Sequence, residues 1–108
     1  MFAKRIIAVK TIREYWEQFP DSERPLQYCY KDVTAAQWNS PNDLKVQFGN
    51  ASILTNKRVV FNIHGNSYRL IVDIEYRLKI VFIVWLGTYK EYDKFNAKEI
   101  SYVKTDKK

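Results

Sequence analysis

The chain is poor in the side chains that support metal, redox and disulfide chemistry. Its 108 residues include one cysteine, Cys29, and one histidine, His64. A lone thiol forbids an internal disulfide, and together with a single imidazole it offers no metal-ligand cluster. None of the three glycines belongs to a phosphate-cradling loop, and no serine sits in a nucleophile motif. No metal, nucleotide or other cofactor is therefore expected. Basic residues in Met1–Lys10 are not followed by a long apolar run, so neither a cleavable signal nor a membrane-spanning helix is expected. With no signal and no disulfide, the expected location is the reducing cytoplasm. There is no internal repeat.

What is present is enough for one core. A composition of 46% hydrophobic and 28% charged residues over this length predicts a single domain spanning 1–108, with a frayed tail from about residue 101. Eighteen Lys and Arg against twelve Asp and Glu leave a formal charge of +6. Charge of that sign favours nucleic acid, acidic proteins or anionic membranes, and by itself does not choose among them.

Periodicity divides the chain into two regimes. Phe2–Ile7 suits a short strand near a sheet edge, its basic side chains toward solvent. Ile12, Tyr15, Trp16 and Phe19 recur at helical spacing until Pro20 interrupts them. A second helix, capped by Asp21 or Ser22, carries the stripe Leu26, Cys29, Tyr30, Val33 and Ala36 and is expected to end near Trp38. Ser40-Pro41-Asn42-Asp43 is a helix-start signal for a short turn into Phe48.

From Ile53 the period becomes two. Val59, Phe61 and Ile63 share one face, and Tyr68, Leu70, Val72 and Ile74 share one face of the next strand, across the turn residues His64-Gly65-Asn66. Ile80–Leu86 is apolar on both faces, as in a central strand covered on both sides, and ends at Gly87. The order predicts an α+β fold, two N-terminal helices packed on an antiparallel meander. Function does not follow from that architecture alone.

The chemistry-bearing residues that remain are basic and phenolic: Lys57, Arg58, His64, Arg69, Lys79, Tyr89 and Tyr92, with Lys90 and Lys94 beside them. Such groups suit phosphodiester cleavage. The reaction deprotonates a ribose 2′-hydroxyl, stabilises charge on a pentacoordinate phosphorus and protonates the leaving 5′-oxygen. A guanidinium spans two phosphoryl oxygens and stays charged. Each residue also has a plain structural reading. Arg69 alternates with apolar neighbours and can simply face solvent, Lys57 and Arg58 can be loop charges, His64 suits a turn, and Trp85 and Tyr92 suit packing.

Arg58–Ile63, Gly65-Asn66, Tyr68-Arg69-Leu70 and Gly87-Thr88-Tyr89-Lys90-Glu91-Tyr92-Asp93-Lys94 together resemble the HigB toxin family of the RelE-like superfamily. With Trp38, Ser40-Pro41, Leu44-Lys45 and Phe48, the likeness spans Ile12 to Phe95. The resemblance implies a RelE-like fold, cleavage of messenger RNA during translation on the ribosome, and silencing by a HigA-type helix-turn-helix antitoxin. It implies that Arg69 is the family's catalytic arginine and that Tyr92-Asp93 is its C-terminal pair. Arg58, Tyr89 and Tyr92 complete the expected catalytic group, and Lys57, His64, Lys79, Lys90 and Lys94 are the expected RNA contacts.

Two positions depart from the family pattern. Tyr89 stands where many members carry histidine, and Val84 stands near where they carry a basic residue. A neutral phenol is a poor base near pH 7. The departures keep open a non-catalytic protein that occupies RNA, the ribosome or the antitoxin as a co-repressor, and an orphan stable domain.

Overall fold

The computed structural model describes residues 5–7, 9–55, 57–65, 67–94 and 96–97. The expected frayed tail, Phe2–Lys4 and Asn66 lie outside them. A short strand β1 (Arg5–Ile7) leads into helix α1 (Val9–Gln18). Ile12 is buried, with Tyr15 and Trp16 packed beside it against the core. The helix stops where the sequence says it should. Phe19, which precedes Pro20, leaves the helical region at φ −126°, ψ 80°, as the proline ring requires.

A single 3-10 turn (Pro20–Ser22) joins α1 to α2 (Glu23–Ala35). Neither expected cap operates: the Ser22 hydroxyl donates to Phe19 O at 2.7 Å. Ser22 is itself helical, at φ −89°, ψ −9°. Asp21 instead accepts a 2.6 Å bond from the Tyr68 hydroxyl. Helix α2 ends three residues before Trp38, at Ala35, and the difference is tertiary. Trp38 is buried, its Nε1 donates to Gln47 Oε1 at 2.9 Å, and its ring meets Phe48 edge-on at 5.8 Å. Tyr30, expected in the buried stripe, is exposed.

The short helix α3 (Pro41–Gln47) starts as its sequence signal requires. Asp43 N donates to Ser40 Oγ at 3.4 Å while Asp43 Oδ2 accepts from Asn39 N at 2.9 Å, and Leu44 anchors the turn in the core. Four strands follow: β2 (Ser52–Ile53), β3 (Arg58–Ile63), β4 (Tyr68–Glu75) and β5 (Ile80–Thr88). They form an antiparallel meander, and β1 joins the outside of β5 in parallel, giving the order β1-β5-β4-β3-β2. The expected edge strand is therefore present, and its partner is the last strand of the sheet.

Alternation sorts the sheet into two faces. Val59, Phe61, Ile63, Tyr68, Leu70, Val72, Ile74, Val81 and Ile83 join the helices in one core. On the other face Val60 and Ile71 are covered by Ala97, with Leu54, Val84, Trp85 and Tyr92 against them. A bulge opposite Ile71 and Val72 gives β5 one extra residue, Val84. The last element, α4 (Tyr89–Tyr92), opens on a reciprocal cap: Glu91 N donates to Thr88 Oγ1 at 3.2 Å and Thr88 N to Glu91 Oε1 at 2.9 Å.

Candidate functional site

The second sheet face is where polar chemistry gathers. Arg69 lies in β4 between Asn62 of β3 and Gly87 of β5, and cross-strand partners point their side chains to one face. Its guanidinium carbon stands 5.7 Å from the centroid of the Tyr92 ring, and its Nη1 donates to the Tyr68 carbonyl at 3.3 Å. A cation over a phenol face is held in place, which fixes the position of the guanidinium on this face of the sheet. Helix α4 supplies Tyr92 because the Thr88–Glu91 cap starts a helical turn directly after β5.

Gly87 explains the closeness of this cluster. A Cβ at that position would sit 2.5 Å from two ring atoms of Trp85 and 2.7 Å from Glu91 Oε1. Only glycine lets the indole and the carboxylate lie over the strand beside Arg69. Alternation alone reads Gly87 as the end of a strand, and the family likeness includes Gly87 and Glu91 only as members of the segment Gly87–Lys94, without a role for either. Two signals could have found them: a glycine inside a strand pattern, and Thr88 spaced three residues before Glu91.

Arg58 has a different setting. It is 9% exposed, and its three nitrogens are all engaged. Nε and Nη2 donate to the two carboxylate oxygens of Asp73, the latter at 2.9 Å, and Nη1 donates to the Ala97 carbonyl at 2.9 Å. The pair holds Ala97 against the second face.

The remaining expected residues divide between the ends of the sheet. Lys57 pairs with Glu75 at 3.7 Å, and Lys79, in the left-handed region at φ 59°, donates to Trp38 O at 3.1 Å and Asn39 Oδ1 at 3.0 Å. Both lie at the β4–β5 turn end, whereas Gly87 and Arg69 lie at the other. Seven residues of extended chain separate Ile80 from Gly87, roughly 23 Å. Tyr89, Lys90 and Lys94 are exposed on and after α4, at the Arg69 end. His64 occupies the β3–β4 turn at φ 56°, its ring 6.5 Å from Tyr68 on the helix-covered face.

Two tyrosines behind the sheet are held neutral. The bond to Asp21, with burial behind it, pushes Tyr68 up to about 12. Burial, then the nearby carboxylates Glu91 and Asp21, raise Tyr15, whose buried hydroxyl has no partner among the described residues. Burial also pushes the Cys29 thiol up to about 12. No three His, Cys, Asp or Glu side chains among the described residues are grouped to hold a metal ion, and no described helix is long and apolar enough to cross a membrane.

A helix-backed antiparallel sheet with a basic and phenolic cluster on its other face defines a small α+β protein of RelE-like fold. A family model described as "HigB_toxin, RelE-like toxic component of a toxin-antitoxin system" matches residues 22–95, and the chain belongs to that family. The "mRNA interferase toxin HigB" of Escherichia coli (strain K12) is 26% identical over 94 residues, covering 85% of this chain and 90% of the relative. Proteins named "mRNA interferase HigB" from Escherichia coli O157:H7 and Shigella flexneri are similar to the same extent.

Proposed function

We propose that the protein is the endoribonuclease of a toxin-antitoxin pair, cleaving messenger RNA in the cytoplasm and thereby arresting translation. The observation that carries this reading is Arg69 poised over Tyr92 on the less covered sheet face of a HigB-family chain. In the proposed reaction the ribose 2′-oxygen attacks phosphorus and the bond to the 5′-oxygen breaks. The products are a 2′,3′-cyclic phosphate and a 5′-hydroxyl. Arg69 holds charge on the phosphoryl oxygens, and Tyr92 and Tyr89 move protons between the two oxygens. No metal is assigned a step.

Lys90 and Lys94 follow the RNA backbone at the Arg69 end, with His64 at its margin. Lys57 and Lys79 lie too far along the sheet to touch the same nucleotide. Arg58 acts through Asp73 and Ala97, positioning the segment that follows Tyr92, because its donors are directed there. The ribosome is the proposed source of substrate positioning, which supplies much of a rate enhancement when acid-base groups are weak. A HigA-type helix-turn-helix antitoxin is the proposed inhibitor, its acidic segment matched to the net charge of +6.

One observation favours a second reading. Val84 packs into the small cluster with Val60 and Ile71, and Tyr89 stands where the family resemblance implies histidine, so a protein that binds RNA or antitoxin without cutting is consistent with the residues present. Incubation of antitoxin-free protein with a defined messenger RNA, with and without translating ribosomes, separates the two. Cyclic-phosphate ends that fall about 10²–10³-fold in a folded Arg69→Ala variant support the nuclease. Intact RNA under both conditions selects the binding protein.

A further inference from the structure

Strand β1 pairs only with Ile80–Phe82, so beyond Phe82 no strand among the described residues covers the outer edge of β5. There α1, β5 and α4 leave an open groove of about 390 Å³ lined by Tyr15, Phe19, Trp85, Leu86 and Glu91. That lies within the ~300–1,000 Å³ typical of small-ligand sites. Its walls are flat rings: Phe19, stacked on Tyr15 at 4.6 Å, is still 40% exposed, and Trp85 is half-buried. Among the described residues that line it, the one charged group is the Glu91 carboxylate.

Carboxylate and rings together select the occupant. Glu91 repels a phosphate, yet Glu91 and Trp85 both overlie Gly87, the cross-strand partner of Arg69. A nucleotide with its phosphate at Arg69 would present its base to the groove. Base stacking on aromatic side chains contributes about 1–3 kcal/mol per base. Glu91 Oε1 accepts one bond, from Thr88 N, which leaves acceptor sites on both oxygens. Among the four bases only guanine sets two N–H donors side by side on its Watson–Crick edge.

We propose that this groove is a guanine subsite adjoining the phosphate position, with Phe19 and Trp85 as stacking surfaces and Glu91 as the reader of the base edge. The assignment deepens the ribonuclease reading and rests on it for its role in cleavage. Its test is a binding measurement that needs no cleavage. Tryptophan fluorescence of the full chain is titrated with GMP, AMP, CMP and UMP, beside Trp85→Phe, Glu91→Gln and Phe19→Leu variants.

The expected result is quenching by GMP at concentrations at least about tenfold below the other three, abolished by Trp85→Phe and weakened about tenfold by Phe19→Leu. Glu91→Gln retains the helix cap, since either side chain can accept from Thr88 N, and is expected to bring GMP to the level of AMP without lowering Tm. If that variant unfolds, Phe19→Leu at an exposed position decides. Equal quenching by all four nucleotides, or none, overturns the subsite. So does occupation of the groove by antitoxin alone, read as exchange protection that RNA never gives. Guanine-selective binding by a protein that cuts no RNA would refute the nuclease and leave the subsite standing, whereas cleavage without base selectivity removes the subsite alone.

Discussion

Replacing Arg58 with alanine is expected to cost about 3–5 kcal/mol, because it strands Asp73 as an uncompensated charge in a pair whose side chains are 11% and 14% exposed. The Ala97 carbonyl also loses its 2.9 Å donor. Against a total stability of about 5–15 kcal/mol for a domain, that is a large share. At about 4–8 °C per kcal/mol for a domain near this size, Tm should fall by roughly 12–40 °C. Urea and thermal unfolding measure the loss directly. The double variant Arg58→Met, Asp73→Leu removes both charges at similar volume and should recover at least about 2 kcal/mol over Arg58→Ala. Its cleavage rate per folded molecule should stay within about tenfold of wild type if Arg58 is a strut. An Arg58→Ala protein within about 1 kcal/mol of wild-type stability but about a hundredfold slower would refute the reasoning and return Arg58 to the phosphate.

Tyr92→Phe keeps the ring beneath Arg69 and deletes only the hydroxyl, so Tm should hold while single-turnover cleavage falls about 10²–10⁴-fold; an unchanged rate assigns proton transfer to Tyr89. The Tyr68 hydroxyl is raised in the fold from 10 to about 12, so its contribution to stability is complete below pH 10 and disappears as pH rises from 10 to about 12. Tyr68→Phe should therefore cost roughly 1.5 kcal/mol at neutral pH, through the lost bond to exposed Asp21, and flatten alkaline unfolding over that window. The buried thiol of Cys29, at about 12, should resist a thiol-reactive dye in the native protein at pH 8 and react at the rate of unfolding. Rapid native labelling would contradict its placement in the core.

Several local signals were legible in the sequence to the residue, although the expected Asp21 or Ser22 cap of α2 was not among them. The Ser40-Pro41-Asn42-Asp43 start of α3, the stop of α1 before Pro20 and the alternation of β3 and β4 each depend on neighbours a few positions apart. Distant contacts were not. Trp38 leaves α2 early because Phe48 and Gln47 receive it, and nothing in its own vicinity announces that. The pairing of β1 with β5 spans the whole fold. For the candidate site, the resemblance brought Arg69 and Tyr92 into one group, and the structure sets them together. The setting of Arg58 follows from the register that places it opposite Asp73, which alternation within a single strand does not reveal. Lys79 is grouped with the expected RNA contacts, and nothing near it in the sequence announces the Trp38 carbonyl, 41 positions earlier, to which it donates.

The alignment of Arg5 with Ile80 makes the first strand one of the last to be satisfied. During synthesis it emerges with no partner and waits through both long helices and three further strands. The hairpins β3–β4 and β4–β5, joined by short turns, close at far lower entropic cost and can form the seed on which it docks. The surroundings of Arg69 obey the same order, since Gly87 and Tyr92 come from the last strand and the helix after it. A nascent chain or a truncated fragment thus lacks the assembled cluster until that strand has been made. For a protein that halts translation, as proposed, harmlessness during its own manufacture is built into the order of its strands.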